Sequence, residues 1–290
     1  MKDYVLVGDS TEDLNSDVLK TLDVRIIPFS YSVNDEIFPF YMDERDGDIK
    51  DFYDKLRKGA MPVTSQINPE SYKKFFEEIV KEGKDILYLC FTSGLSGSYQ
   101  SAVIGADMVM EKYPEARIEI VDSLVASVGG GILLYQVDKK KKEGLGIDKL
   151  KTWIEENRNN TSHWFMVEDL FHLKRGGRVT TVEAMIGSAL KIKPILSVDE
   201  EGKLVVKSKA RGTGKALDYL ISRVEEEVSD FGIMHFNIGN ADAPEKAEKL
   251  MEMLIERGAK PENIFISSIG PIIGTHVGPG MAAVAYVTNL

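Results

Sequence analysis

Cysteine is almost absent: Cys90 stands alone in 290 residues, so no internal disulfide can form and nothing signals an oxidising compartment. It sits in an apolar run and reads as a small core hydrophobe. Histidine is scarce too, with four residues and no Cys/His grouping at metal-ligand spacing, so no metal site is expected. Long apolar runs are missing. None reaches the ~18 residues of a membrane span, and Met1-Lys2-Asp3-Tyr4 lacks the apolar core of a signal peptide. A cytoplasmic protein with no integral membrane segment is the expectation. Nor is there an excess of basic charge: Lys+Arg total 36 against 46 Asp+Glu, and the net charge of -10 disfavours non-specific binding to nucleic acid or an anionic membrane.

Against that acidic background, Lys174 to Lys215 holds ten Lys/Arg and four Asp/Glu. Such an island is either a solvated face or a docking site for an acidic partner. The length admits one large unit or two of ordinary size, and two are preferred, divided at Asn157-Arg158-Asn159-Asn160 into 1–160 and 161–290. Short apolar runs alternate with helical patterns along the chain, which predicts two α/β domains with largely parallel sheets. Tyr4 to Gly8, Val24 to Ser32, Arg117 to Asp122, Trp164 to Val167, Ile192 to Val198 and Ala282 to Val287 read as strands, and Leu14 to Leu22 and Val182 to Leu190 as helices. Gly270 to Gly280 reads as a glycine-rich loop that frames His276.

The stretch from Phe91 to Ala102, Phe-Thr-Ser-Gly-Leu-Ser-Gly-Ser-Tyr-Gln-Ser-Ala, places hydroxyls and two glycines between an expected buried strand and an expected helix. Ser96 or Ser98 is the expected N-cap, and free amide groups at such a strand end would receive a phosphate, a carboxylate or an oxyanion. No lysine lies between Phe91 and Glu111, which excludes a Walker loop. A nucleophile elbow also fits poorly, because Gly94-Leu95-Ser96-Gly97 brings the second glycine one position early. Taken alone, the stretch reads equally well as a tight β–α turn. Two further clusters have the same character. Asp9-Ser10-Thr11 offers three caps in front of a helix, and Thr64-Ser65-Gln66 precedes a helix that Asn68 caps and Pro69 starts. Gly129-Gly130-Gly131 falls at a helix start, where each glycine costs roughly 1 kcal/mol against alanine. Something must pass close to that backbone.

Thr64-Ser65-Gln66, Ser93-Gly94-Leu95-Ser96, Leu173-Lys-Arg-Gly-Gly-Arg178, Ile192-Lys-Pro-Ile195 and Gly274-Thr-His-Val-Gly-Pro-Gly280 together resemble the DegV family, whose best-known members are the fatty-acid-binding subunits of bacterial fatty acid kinase. The likeness runs the length of the chain. Asn68 stands where a proline is common, and Phe91-Thr92 where a further serine is frequent. The resemblance implies two α/β domains with one long-chain fatty acid between them. Its carboxylate would be held by hydroxyls of the first domain, Thr64, Ser65, Ser93 and Ser96, and by His276 of the second. Ala126 and Gly129 to Gly131, with Gly130 as the marker, would leave room for the acyl tail, and Ala184, Met185, Ile186 and Leu190 would wall it. His163, His172 and His235 are read as structural.

The resemblance further implies a carrier that is no stand-alone enzyme, needs no cofactor and presents its lipid to an ATP-binding kinase subunit, after which an acyltransferase collects the acyl phosphate. The chain agrees in having no nucleotide loop and no Mg²⁺ carboxylate cluster of its own. Arg175, Arg178 and Arg211 would face the carboxylate mouth and the partner. Two rivals remain at this point: a serine hydrolase using Ser93 or Ser96 with His276 and Asp122, and a lipid sensor without phosphotransfer.

Overall fold

The computed structural model describes residues 3–43, 49–180 and 191–288. In chain order the elements are β1 (Tyr4–Asp9), α1 (Ser16–Leu19), β2 (Val24–Ile27), β3 (Phe29–Val33), β4 (Glu36–Phe40), α2 (Ile49–Arg57), β5 (Val63–Ser65), α3 (Pro69–Lys81), β6 (Asp85–Cys90), α4 (Ser98–Lys112), β7 (Ile118–Asp122), α5 (Val128–Lys142) and α6 (Ile147–Asn157). They continue with β8 (Thr161–Met166), α7 (Phe171–Arg175), β9 (Ile192–Val198), β10 (Leu204–Arg211), α8 (Thr213–Glu227), β11 (Phe236–Asn240), α9 (Pro244–Glu256), β12 (Ile264–Ser268), α10 (Pro271–Val277) and β13 (Ala282–Val287). The expected helix at Val182 to Leu190, and with it Ala184, Met185, Ile186 and Leu190, lies outside the described residues.

The first sheet, in the order β2-β1-β6-β7, is parallel throughout, as expected. Every residue of β1 and β6 is buried, the pattern of strands covered on both faces. The second sheet, β10-β9-β8-β13-β11-β12, departs from the expectation: only β11 and β12 run parallel, and its other pairings are antiparallel. Hairpin-length connections such as Asp199 to Lys203 permit this, whereas a parallel pairing needs a crossover. A third, antiparallel sheet has the order β4-β3-β5. The single strand expected over Val24 to Ser32 is two, broken at Pro28, which supplies no amide to a ladder; the Ser10 hydroxyl accepts from the Phe29 amide at 2.8 Å and fixes the break. Pro39 sits on an edge strand, where a missing donor does no harm.

Five layers stack. Helices α3 and α4 bury Tyr72, Phe76, Ala102 and Ala106 on one face of the first sheet, against Val7, Ile86 and Tyr88. On its other face Leu6, Leu87 and Leu89 meet α5 and α6, and α5 also packs on Phe165, Ala283 and Ala285 of the second sheet. The far face of the second sheet is covered by Leu217 and Leu220 of α8 and by Leu250 and Leu254 of α9. Helix α5 is therefore apolar nearly all round, buried from Val128 to Leu134 without a break. Its three glycines serve close contact. A methyl at Gly131 would lie 2.2 Å from the Glu12 carbonyl, one at Gly130 3.2 Å from Glu12 Cγ, and one at Gly129 3.1 Å from His163 Nδ1. No described helix is long and apolar enough to cross a membrane.

Candidate functional site

Between the two halves lies a cavity of about 400 Å³. The first half contributes Phe29, Phe91 and Leu95 together with Thr64, Ser65, Gln66 and Ser96. The second half contributes Leu173, Leu204, Ile272 and Met281, with Arg178, His163 and His276 as its polar members. Ala126 and Ser127, just before α5, complete the wall.

At the polar end, Thr64 Oγ1 and His276 Nε2 are 2.8 Å apart. Strand β5 carries Thr64 to this point because its neighbour β3 pairs Tyr31 with it. His276 does not stand on a loop as the glycines suggested: Pro271 to Val277 is a short helix, started by a proline that supplies no amide where none is needed, and His276 occupies its last turn. The helix is anchored at its N-cap, where the Gly270 amide donates to Asp13 Oδ1 at 2.8 Å, and just before it by the Tyr53 hydroxyl, which donates to the Ile269 carbonyl at 2.8 Å. Gly176 closes over the imidazole so tightly that a methyl there would lie 2.1 Å from Nδ1, an atom with no hydrogen-bond partner. Burial, with the neighbouring charges of Arg178 and Arg175, holds the His276 pKa down at about 3. The ring is neutral as the protein stands, and an arriving carboxylate would offset the guanidinium charges around it.

The two arginines of Lys174-Arg-Gly-Gly-Arg178 divide their duties. Arg175 donates to the Pro62 carbonyl at 3.0 Å and the Thr275 carbonyl at 3.2 Å, tying the β5 loop to α10. Arg178 lines the cavity, donating to Leu95 O at 3.3 Å and to Gly176 O. Arg211 is exposed at the end of β10 and does not reach the cavity.

Among the hydroxyls, Thr64, Ser65 and Ser96 line the cavity, whereas Ser93 is exposed and outside it. The expected cradle of free amides is not formed either. Ser93 N donates to Asp122 Oδ1 at 3.1 Å, Gly94 N to Thr92 Oγ1 at 3.1 Å, Leu95 N to Thr92 O at 3.3 Å and Ser98 N to Ser96 Oγ at 3.2 Å. The residue at the N-cap of α4 is Gly97, with Ser96 one step before it. What the stretch offers a ligand is thus side-chain polarity and apolar bulk. Gly130 does not border the cavity; its open side holds Glu12.

Asp9-Ser10-Thr11 is also no cap. Asp9 is fully buried and accepts from the amides of Thr11 and Phe91, both at 3.0 Å, from the Tyr88 hydroxyl at 2.9 Å and from the Thr11 hydroxyl. The helix expected over Leu14 to Leu22 shrinks to the four residues of α1, capped by Asn15, because Asp13 is drawn inward. Its carboxylate takes the Ser127 hydroxyl at 2.6 Å as well as Gly270, joining three separate segments. Burial pushes the Asp13 pKa up to about 7 and that of Glu12 well above its ordinary value, the Asp9 charge adding to the rise at Glu12.

The expected hydrolase residues Ser93, Ser96, His276 and Asp122 do not form a triad. Asp122 accepts from the Ser93 and Leu124 amides, the Ser96 hydroxyl meets that of Ser98 at 3.0 Å, and His276 meets Thr64. Among the described residues no group of three or more His, Cys, Asp or Glu is placed to hold a metal ion. Sequence reasoning left His163 as structural, yet its ring lines the cavity; flanked by Ser162 and Trp164 in a strand, it carries no local signal that sets it apart from core.

A family model described as "Uncharacterised protein, DegV family" matches residues 4–289. A DegV domain-containing protein from Clostridium perfringens is 41% identical over 289 residues, covering 99% of this chain and 98% of that one. Among solved structures, a fatty-acid-binding DegV family protein from Thermus thermophilus superposes with a TM-score of 0.87 at 27% identity, and one from Streptococcus agalactiae with 0.86 at 28%, each covering 100% of both chains.

Proposed function

The chain belongs to the DegV family, and from that premise we propose that it binds a long-chain fatty acid in the cavity between its halves and presents the carboxylate to an ATP-binding kinase subunit. The observation that carries the binding step is the chemistry of the wall. Thr64, Ser65, Gln66, Ser96, Arg178 and His276 supply the donors a buried carboxylate demands, and Phe29, Phe91, Leu204, Ile272 and Met281 supply apolar surface for a tail. Each buried methylene is worth about 0.8 kcal/mol before association costs, so even a tail that half fills such a channel binds tightly. Mass spectrometry of small molecules extracted from the purified protein tests this step: fatty acids at near-stoichiometric amounts are expected, and a polar metabolite in their place would refute it.

The transfer step is supported by exposed Arg211 within the basic island, and the rival hydrolase loses its candidate set because Ser93, Ser96, His276 and Asp122 each have other partners. In this reading Arg211 meets carboxylates of the partner, Arg178 stays with the ligand's carboxylate, and an acyltransferase removes the product. Loaded protein mixed with a fatty acid kinase subunit and ATP should form acyl phosphate. Arg211→Ala should lower that rate at limiting partner and regain it at saturation. Binding without acyl phosphate formation would instead make the protein a lipid sensor.

A further inference from the structure

His163 lines the cavity with 3% of its surface exposed, and neither ring nitrogen has a hydrogen-bond partner among the described residues. It stands on β8 with the Phe165 ring 5.4 Å away, and Gly129 of α5 packs against its Nδ1 side. Much of the cavity wall beyond the Thr64–His276 group is apolar, with Ala126, Leu204 and Met281 among its members. A plain hydrocarbon tail would leave this imidazole dry. A buried polar group without a partner is costly, and a leucine or phenylalanine would avoid the cost altogether.

The carboxylate is already accounted for by Thr64, Arg178 and His276, and His163 shares no hydrogen bond with them. Burial alone pushes its pKa down to about 4, so the ring is neutral and offers one N–H and one lone pair. Such a group suits an uncharged partner. We propose that His163 is a specificity-determining residue that hydrogen-bonds a hydroxyl carried partway along the ligand's chain, so that the preferred ligands are hydroxylated long-chain fatty acids. The inference rests on the fatty-acid reading of the cavity. A hydroxyl fits either tautomer because it both donates and accepts, while a carbonyl fits only a protonated nitrogen.

Calorimetric titration of the delipidated chain with stearic acid and with a set of hydroxystearic acids differing in hydroxyl position tests the assignment. At least one mid-chain isomer is expected to bind about tenfold more tightly than stearic acid. In His163→Leu that ratio should fall to about one, and in His163→Gln, which keeps a donor and an acceptor, part of it should remain. Stearic acid binding as tightly as every hydroxy isomer in the wild type overturns the proposal, and so does a preference that survives in His163→Leu. The wild-type ratio decides even if a variant fails to fold. If none of the acids binds, the fatty-acid reading itself falls and the inference with it, an outcome distinct from equal binding.

Discussion

Two sets of buried polar groups are finished differently. At the end of β1, Asp9 takes four hydrogen bonds and Asp13 two, from segments that only the folded chain brings together. Around the cavity, His276 has one partner and His163 none. Saturated buried groups act as joints, since each bond fixes a segment; groups left short of partners are where a ligand can complete the set. Glu12 is the instructive exception. Its Oε2 is unpaired, and burial together with the Asp9 charge raises its pKa well above the ordinary value, which favours the neutral acid where it is wedged against Gly8 and the start of α5.

Breaking the acidic joint should have the largest effect. Asp9→Ala strands four donors, three of them in buried bonds, and is expected to cost roughly 3 to 5 kcal/mol in chemical denaturation; a loss below about 1 kcal/mol would show that Asp9 fixes nothing. Next, Gly131→Ala pushes a methyl into the Glu12 carbonyl and should cost roughly 1 to 3 kcal/mol, leaving the chain-length preference for fatty acids unchanged, because that backbone borders Glu12 and not the cavity. At the mouth the sign of the contrast reverses. His276→Ala should weaken fatty acid binding by about 1 to 3 kcal/mol while its melting temperature moves far less than that of Asp9→Ala. Ser93→Ala, by its exposed position, should leave affinity where it was; calorimetry on both variants separates cavity from loop.

The smallest net effect is in pH dependence, where the two regions oppose each other. Asp13 has its pKa raised from 3.8 to about 7 on folding, so the folded state holds a proton the unfolded state has lost, and stability from this group falls as pH rises through that window. His163 has its pKa lowered from 6.5 to about 4, so the unfolded state binds the extra proton and stability rises with pH over that window. Denaturation measured across the overlap should show a steeper rise with pH in Asp13→Asn and a steeper fall in His163→Leu. Parallel curves for wild type and Asp13→Asn would remove Asp13 from the balance.

Much of this was legible in the chain, for stated reasons. Local signals are enough for the Asn68 cap with Pro69, because cap and proline are neighbours in sequence. The α5 glycines signal a place of close approach but not what approaches, since Glu12 comes from the loop after β1 and His163 from β8, both distant in sequence. Asp9-Ser10-Thr11 looked like caps because cap and buried joint use the same residue types. The antiparallel second sheet was missed because buried strands of either sense read as plain apolar runs. Of the site, Thr64, Ser65, Ser96, Arg178 and His276 come together at the cavity as the motifs suggested, Arg175 braces the His276 helix without lining the cavity, and Ser93, Gly130 and Arg211 do not line it.

The position of β13 bears on how the molecule comes into being. This strand follows all the others in chain order, yet it lies inside the second sheet, hydrogen-bonded to β8 on one side and β11 on the other. During synthesis β8, β9 and β10 emerge as one ribbon and β11 with β12 as another, and neither has its proper neighbour until β13 has emerged. The inner edges of both ribbons stay open through that interval, as does the face of α5 that Ala283 and Ala285 will cover. A nascent chain stalled before β13 is therefore an open-edged, adhesive intermediate, prone to pair with other chains until that strand closes the sheet.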